Sequence, residues 1–178
     1  MRALQGLLSH PKVVAMGEIG LDFALPGLNG AGRAAQLQLL EAQLQLAVQC
    51  ELPVIIHLRK AHQPLLQLLS CYPGVRGVIH AFSGSRELAK AYLKQGFLLG
   101  IGTVLLQPQS RLRAYLAELP LSSLLLESDA PDMAPERGAR NTPAVVAEVA
   151  AVMALLYNLP VAEIAAITQK NCEALFQP

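Results

Sequence analysis

SLLLESDAP, residues 123–131, sets three consecutive leucines against a polar tip of glutamate, serine and aspartate closed by Ala-Pro. A run that is apolar nearly throughout and stops at a polar tip is the pattern of a strand in a parallel sheet, where both faces are covered. Four more runs share the form: VVAMGEIG (13–20), LPVIIH (52–57), GVIH (77–80) and FLLGIGT (97–103). Four of the five tips carry a residue suited to a hard divalent metal, namely Glu18, His57, His80 and Asp129. Longer stretches with helical character separate the runs, which predicts an α/β chain whose parallel sheet is covered by helices on its outer face. Chemistry in such sheets sits at the carboxyl ends of the strands, so these four residues are expected to share one site.

Working outward, residues 2–9 read as a helix end stopped by Pro11. The segment 31–50 places Leu37, Leu40, Leu44 and Ala47 at helical spacing and is expected to be an amphipathic helix. Shorter helices are expected at 61–71, at 86–95 with Ser85 as N-cap and Gly96 as stop, and at 109–118. Thr142 and Pro143 fit an N-cap followed by proline at the first helical position, opening a helix to about residue 157, and Pro160 opens the last one, to about 176. No Pro/Gly/Ser-rich linker interrupts the alternation, so residues 1–178 read as a single domain.

Composition narrows the function. With 53% hydrophobic residues the 178-residue chain can bury a substantial core. Lys plus Arg (14) nearly balance Asp plus Glu (13), which excludes a broad basic field for non-specific nucleic-acid binding, so a polyanionic substrate has to be held locally. Cys50, Cys71 and Cys172 are isolated and read as reduced packing residues, and no apolar run approaches the ~18 residues of a membrane span. The sequence thus reads as cytoplasmic with no membrane partner.

Mixed imidazole and carboxylate donors suit a hydrolytic metal site. A divalent ion there activates water and polarises a phosphoryl or carbonyl oxygen, so no nucleophilic side chain is needed. Consistent with that, the chain has no GxSxG elbow, phosphate loop or dinucleotide fingerprint. Each residue alone has a plainer reading: Glu18 as a solvated loop carboxylate, Asp129 as a turn cap, and either histidine as a side chain bonded to neighbouring backbone. What groups them is their position at four separate strand ends, whereas His10 and His62 lie elsewhere.

GEIGLD (17–22), PVIIHLRKA (53–61), HAFSGS (80–85), LPLSSLLLESDAP (119–131), RNTP (140–143) and NCEALF (171–176) resemble, in order and spacing, the TatD family of metal-dependent deoxyribonucleases. The resemblance implies a TIM-type (β/α)₈ barrel of the amidohydrolase class, two divalent metal ions (Mg, Mn or Zn), and hydrolysis of phosphodiester bonds in DNA, often single-stranded. It implies Glu18 as a metal-bridging carboxylate, His57 and His80 as imidazole ligands, and Asp129 as the carboxylate that binds metal and activates water. Arg59 and Ser83, beside those ligands, are assigned to substrate phosphate or to support of the ligands.

The sequence also departs from the family's pattern. It contains no HxH, the motif with which the family's first strand supplies two further ligands, and Gln63 stands where an acidic residue is usual. The expectation is therefore a barrel lacking its N-terminal third and reduced to about the last five βα units. The open sheet edges left by such a cut are expected to favour self-association. Two alternatives remain at this point: a metal-dependent hydrolase of a small ester or amide, and a catalytically dead fragment acting as a structural module.

Overall fold

The computed structural model describes residues 2–136 and 138–177. Its six α-helices and five strands alternate as far as β4, after which only 3₁₀ turns lead to β5 and two helices follow: α1 (Arg2–Leu8), β1 (Met16–Asp22), α2 (Gly30–Gln49), β2 (Val54–Arg59), α3 (His62–Ser70), β3 (Gly77–Ile79), α4 (Arg86–Lys94), β4 (Phe97–Ile101), β5 (Leu124–Leu126), α5 (Val146–Tyr157) and α6 (Val161–Phe176). The strands form one parallel sheet in the order β1-β2-β3-β4-β5, so sequence neighbours are spatial neighbours. Among the described residues, β1 and β5 are the edges of this sheet.

Strand side chains alternate between the two faces. One face presents Val54, Ile56, Ile79, Leu99, Ile101 and Leu124, all buried in the main core with Leu40, Leu44, Leu65, Tyr92, Val149 and Met153 from the helices. The other presents Ile55, Val78, Leu98 and Leu125, a smaller cluster in which Ile55 and Leu98 remain partly exposed and against which Leu175 and Phe176 of α6 pack. The same alternation carries the inner face of β2 from Ile55 to His57.

Local chemistry sets most boundaries. Asn29 caps α2 by accepting from Gly32 N–H at 2.9 Å, and Ser85 caps α4 through Leu88 N–H at 3.3 Å. Asn158, with φ 52°, ends α5 in the left-handed conformation. Gly20, at φ +149°, lies so close to the carbonyl of His57 that a Cβ there would collide with it, which allows β1 and β2 to pair closely beside the site.

Three expectations are corrected. Residues 109–118 are not an α-helix but two short 3₁₀ turns, Arg111–Ala114 and Leu116–Glu118, broken at Tyr115. Tyr115 donates its hydroxyl to the Gly84 carbonyl while Leu112 and Leu116 sink into the core, and these anchors hold the chain in tighter turns. Helix α2 is also less cleanly divided than expected: Leu40, Leu44 and Ala47 are buried, but Leu39 and Val48 face outward. Of the cysteines, Cys50 alone fits a packing role, since Cys71 and Cys172 are exposed; all three are free thiols.

Candidate metal centre

The four strand-tip residues meet. His57 lies within β2, His80 one residue beyond β3, and Asp129 three residues beyond β5. Glu18 lies within β1, where the register against β2 slips between Met16 and Ile19. Met16 and Ile19 are both buried although three residues apart, so the slip is a bulge that leaves Gly17 and Glu18 together off the core face. The Glu18 carboxylate thereby reaches both imidazoles, 3.7 Å from His57 Nδ1 and 3.9 Å from His80 Nε2. Asp129 Oδ1 is 3.4 Å from His80 Nε2.

Ligand atoms of Glu18, His57 and His80 all lie within 4.8 Å of one another, a spacing that a shared divalent ion can span. The donor set fits such an ion chemically as well, with two imidazoles, one acidic oxygen between them and a second carboxylate alongside. Arg59 and Ser83 line the same cavity of about 360 Å³, together with Asp132 and Met133. Arg59 is largely exposed and 3.3 Å from Asp22 Oδ2, so its guanidinium stands at the rim and shares that carboxylate with His57.

The electrostatics follow from crowded carboxylates. The Glu127 hydrogen bond, with the charges of Glu127, Asp129 and Glu18, outweighs burial and raises the His80 pKa from 6.5 to about 9. Asp129 is raised above the ordinary aspartate value, mainly by burial and further by the charges of Glu18 and Glu127, against the opposing effect of His80. The backbone of Asp129 is left-handed at φ 57°, and that of Ala81, next to His80, at φ 47°. Non-glycine residues hold such conformations where the surroundings fix them. Around Asp129 that fixing comes from Asn141, a buried side chain whose amide donates to the Ser128 and Asp132 carbonyls at 2.6 and 2.8 Å.

Three site residues escaped the sequence reading. Glu127 bonds His80, Asp22 Oδ2 lies 3.6 Å from His57 Nε2, and Asn141 straps the Asp129 loop. Glu127 follows Leu125 by two residues and so shares its face, which alternation alone would have indicated. Asp22 stands in the quoted GEIGLD, and Asn141 in the quoted RNTP. His62 is outside the site, as expected: its ring contacts the Tyr92 hydroxyl at 3.1 Å and burial lowers its pKa.

The model of the TatD related DNase family matches residues 1–177, and the expectation that an N-terminal third is missing is not confirmed. The chain is 42% identical over 179 residues to the uncharacterized metal-dependent hydrolase YjjV of Escherichia coli, covering 97% of this chain and 67% of that protein. It is 34% identical over 187 residues to the 3′-5′ ssDNA/RNA exonuclease TatD of Salmonella typhimurium, covering 98% and 70%. The crystal structure of YjjV superposes with a TM-score of 0.91 at 38% identity, over 99% of this chain and 70% of that one. An uncharacterized amidohydrolase of Saccharomyces cerevisiae shares the fold with a TM-score of 0.85 at 18% identity. By family match and by relatives of this identity, the chain belongs to the TatD-related DNase family.

Proposed function

We propose that the protein is a metal-dependent hydrolase that cleaves phosphodiester bonds of single-stranded DNA, with Glu18, His57, His80 and Asp129 holding two divalent ions. The observation that carries this reading is the convergence of those four side chains, from four different strand ends, into one cavity with an arginine at its rim. The exonuclease and deoxyribonuclease names borne by relatives support the choice of nucleic acid as substrate.

When bound, the metal supplies positive charge that polarises the phosphoryl group and makes water a better nucleophile. The protein residues do the rest. Asp129 takes the proton of the attacking water, and its raised pKa brings it nearer to neutrality and makes it a stronger base than an ordinary aspartate. Water oxygen bonds to phosphorus while the bond from phosphorus to the leaving oxygen breaks. Arg59, 61% exposed at the rim, is placed to bind a flanking phosphate. Ser83 is placed to donate a hydrogen bond to the same backbone. Three free thiols suit a cytoplasmic setting. Among the described residues no single helix is long and apolar enough to cross a membrane.

The test is Mg²⁺- or Mn²⁺-dependent cleavage of single-stranded DNA by the purified protein beside Asp129→Asn. Metal-dependent cleavage by the wild type alone is expected. Cleavage of a small ester with no action on DNA would overturn the choice of substrate, and equal rates for both proteins would overturn the role of Asp129.

A further inference from the structure

We propose that Glu127 is a positioning residue that fixes the ring and tautomer of His80, presenting Nε2 to the centre of the site. The inference rests on His80 being a metal ligand, as argued above. Glu127 Oε2 lies 3.2 Å from His80 Nδ1, and Oε1 accepts the backbone N–H of Ala81 at 2.6 Å. An ionised carboxylate only accepts hydrogen bonds, so Nδ1 has to carry the proton and the lone pair of a neutral ring is left on Nε2. That nitrogen is the one facing Asp129 at 3.4 Å and Glu18 at 3.9 Å. The Ala81 bond ties the same carboxylate to the left-handed turn that follows β3, so backbone and ring are held by one group. His57 has no equivalent: its nearest second carboxylate, Asp22, is 3.6 Å from Nε2, beyond a good hydrogen bond, and is shared with Arg59.

Space for this arrangement is made in β4. A methyl group on Gly100 would run into the Glu127 carboxylate, whereas one on Gly102 would meet Glu127 only at ordinary contact distances of 3.4–3.5 Å. Neither glycine has a positive φ, so alanine fits the backbone at both and the two positions differ in whether they displace Glu127. Gly100, two residues after Leu98 on the same face of β4, thereby leaves room for the carboxylate that orients His80.

Three variants test this, each checked for a wild-type melt: Glu127→Gln, Gly100→Ala and Gly102→Ala. Mn²⁺ affinity, read by calorimetry, is expected to fall about 10–100-fold in the first two, the usual effect of removing a ligand's orienting partner, and to stay unchanged in Gly102→Ala. Nitrogen NMR of the metal-free protein, at a pH above the ionisation of His80, is expected to show a proton on Nδ1 in the wild type and on Nε2 in Glu127→Gln. The same tautomer in both, with undiminished Mn²⁺ affinity in Glu127→Gln and Gly100→Ala, would overturn the proposal. A wild type that binds no Mn²⁺ would instead sink the metal-site reading, and the tautomer of the metal-free protein would still decide whether Glu127 orients His80.

Discussion

The two faces of the sheet are built for different tasks. On the helix-covered face, Val54, Ile56, Leu99, Ile101 and Leu124 are completely buried, and the helices that cover them add leucines, Tyr92 and Met153 to one continuous core. On the opposite face Ile55 and Leu98 stay partly exposed, and the same strands end in Glu18, His57, His80 and Glu127. Hydrophobic burial is roughly proportional to area removed from water, so the covered face supplies most of the stability. The open face can then hold carboxylates against one another, an arrangement that costs folding energy, because the other side of the strands does not depend on it.

Asp129→Asn gives the largest expected break. Turnover should fall on the order of 10²–10⁴-fold, the range for losing a general base, while the melting temperature hardly moves. Loss of activity through unfolding would show that the two faces are not independent. Ile56→Ala and Ile55→Ala, neighbours on one strand, compare the faces directly. Denaturant unfolding should show a loss of about 2–5 kcal/mol at buried Ile56, and about 1 kcal/mol at half-exposed Ile55. Equal losses would contradict the division.

A smaller effect is expected from pH. His80 is raised from 6.5 to about 9, first by its hydrogen bond to Glu127 and then by the surrounding carboxylate charges. Because the folded value lies above the unfolded one, the protonated ring contributes stability that is full below about 6.5 and is lost as pH rises through about 9. The melting temperature of the metal-free protein should therefore decline across that interval. Mn²⁺ affinity should rise over the same interval, since an ion on Nε2 has to displace that proton. A melting temperature that climbed with pH across this range would contradict the assigned environment of His80.

Much of this was legible in the sequence because it depends on local periodicity. Apolar runs with polar tips located all five strands, and the tips named Glu18, His57, His80 and Asp129. The start of α4 after Ser85 followed from capping chemistry, whereas Thr142 makes no side-chain cap and Pro143 opens a 3₁₀ turn that leads into α5 at Val146. Features created by pairing or by tertiary anchoring were less legible. The bulge that turns Glu18 off the core face exists only in the register of β1 against β2. The breaks in 109–118 depend on a bond from Tyr115 to Gly84, thirty-one residues away. Glu127 falls between these cases: its face follows from alternation with Leu125, but its partner, His80, is supplied by a different strand.

The central claim is that the strand-tip cluster is a metal site, and titration of Mn²⁺ into the metal-free protein, followed by the loss of its electron paramagnetic resonance signal, tests it most directly. The account predicts saturable binding by the wild type that is abolished in Glu18→Gln and His80→Ala and retained in Ile55→Ala. Binding that survived both ligand substitutions, or no binding by the folded wild type, would contradict it.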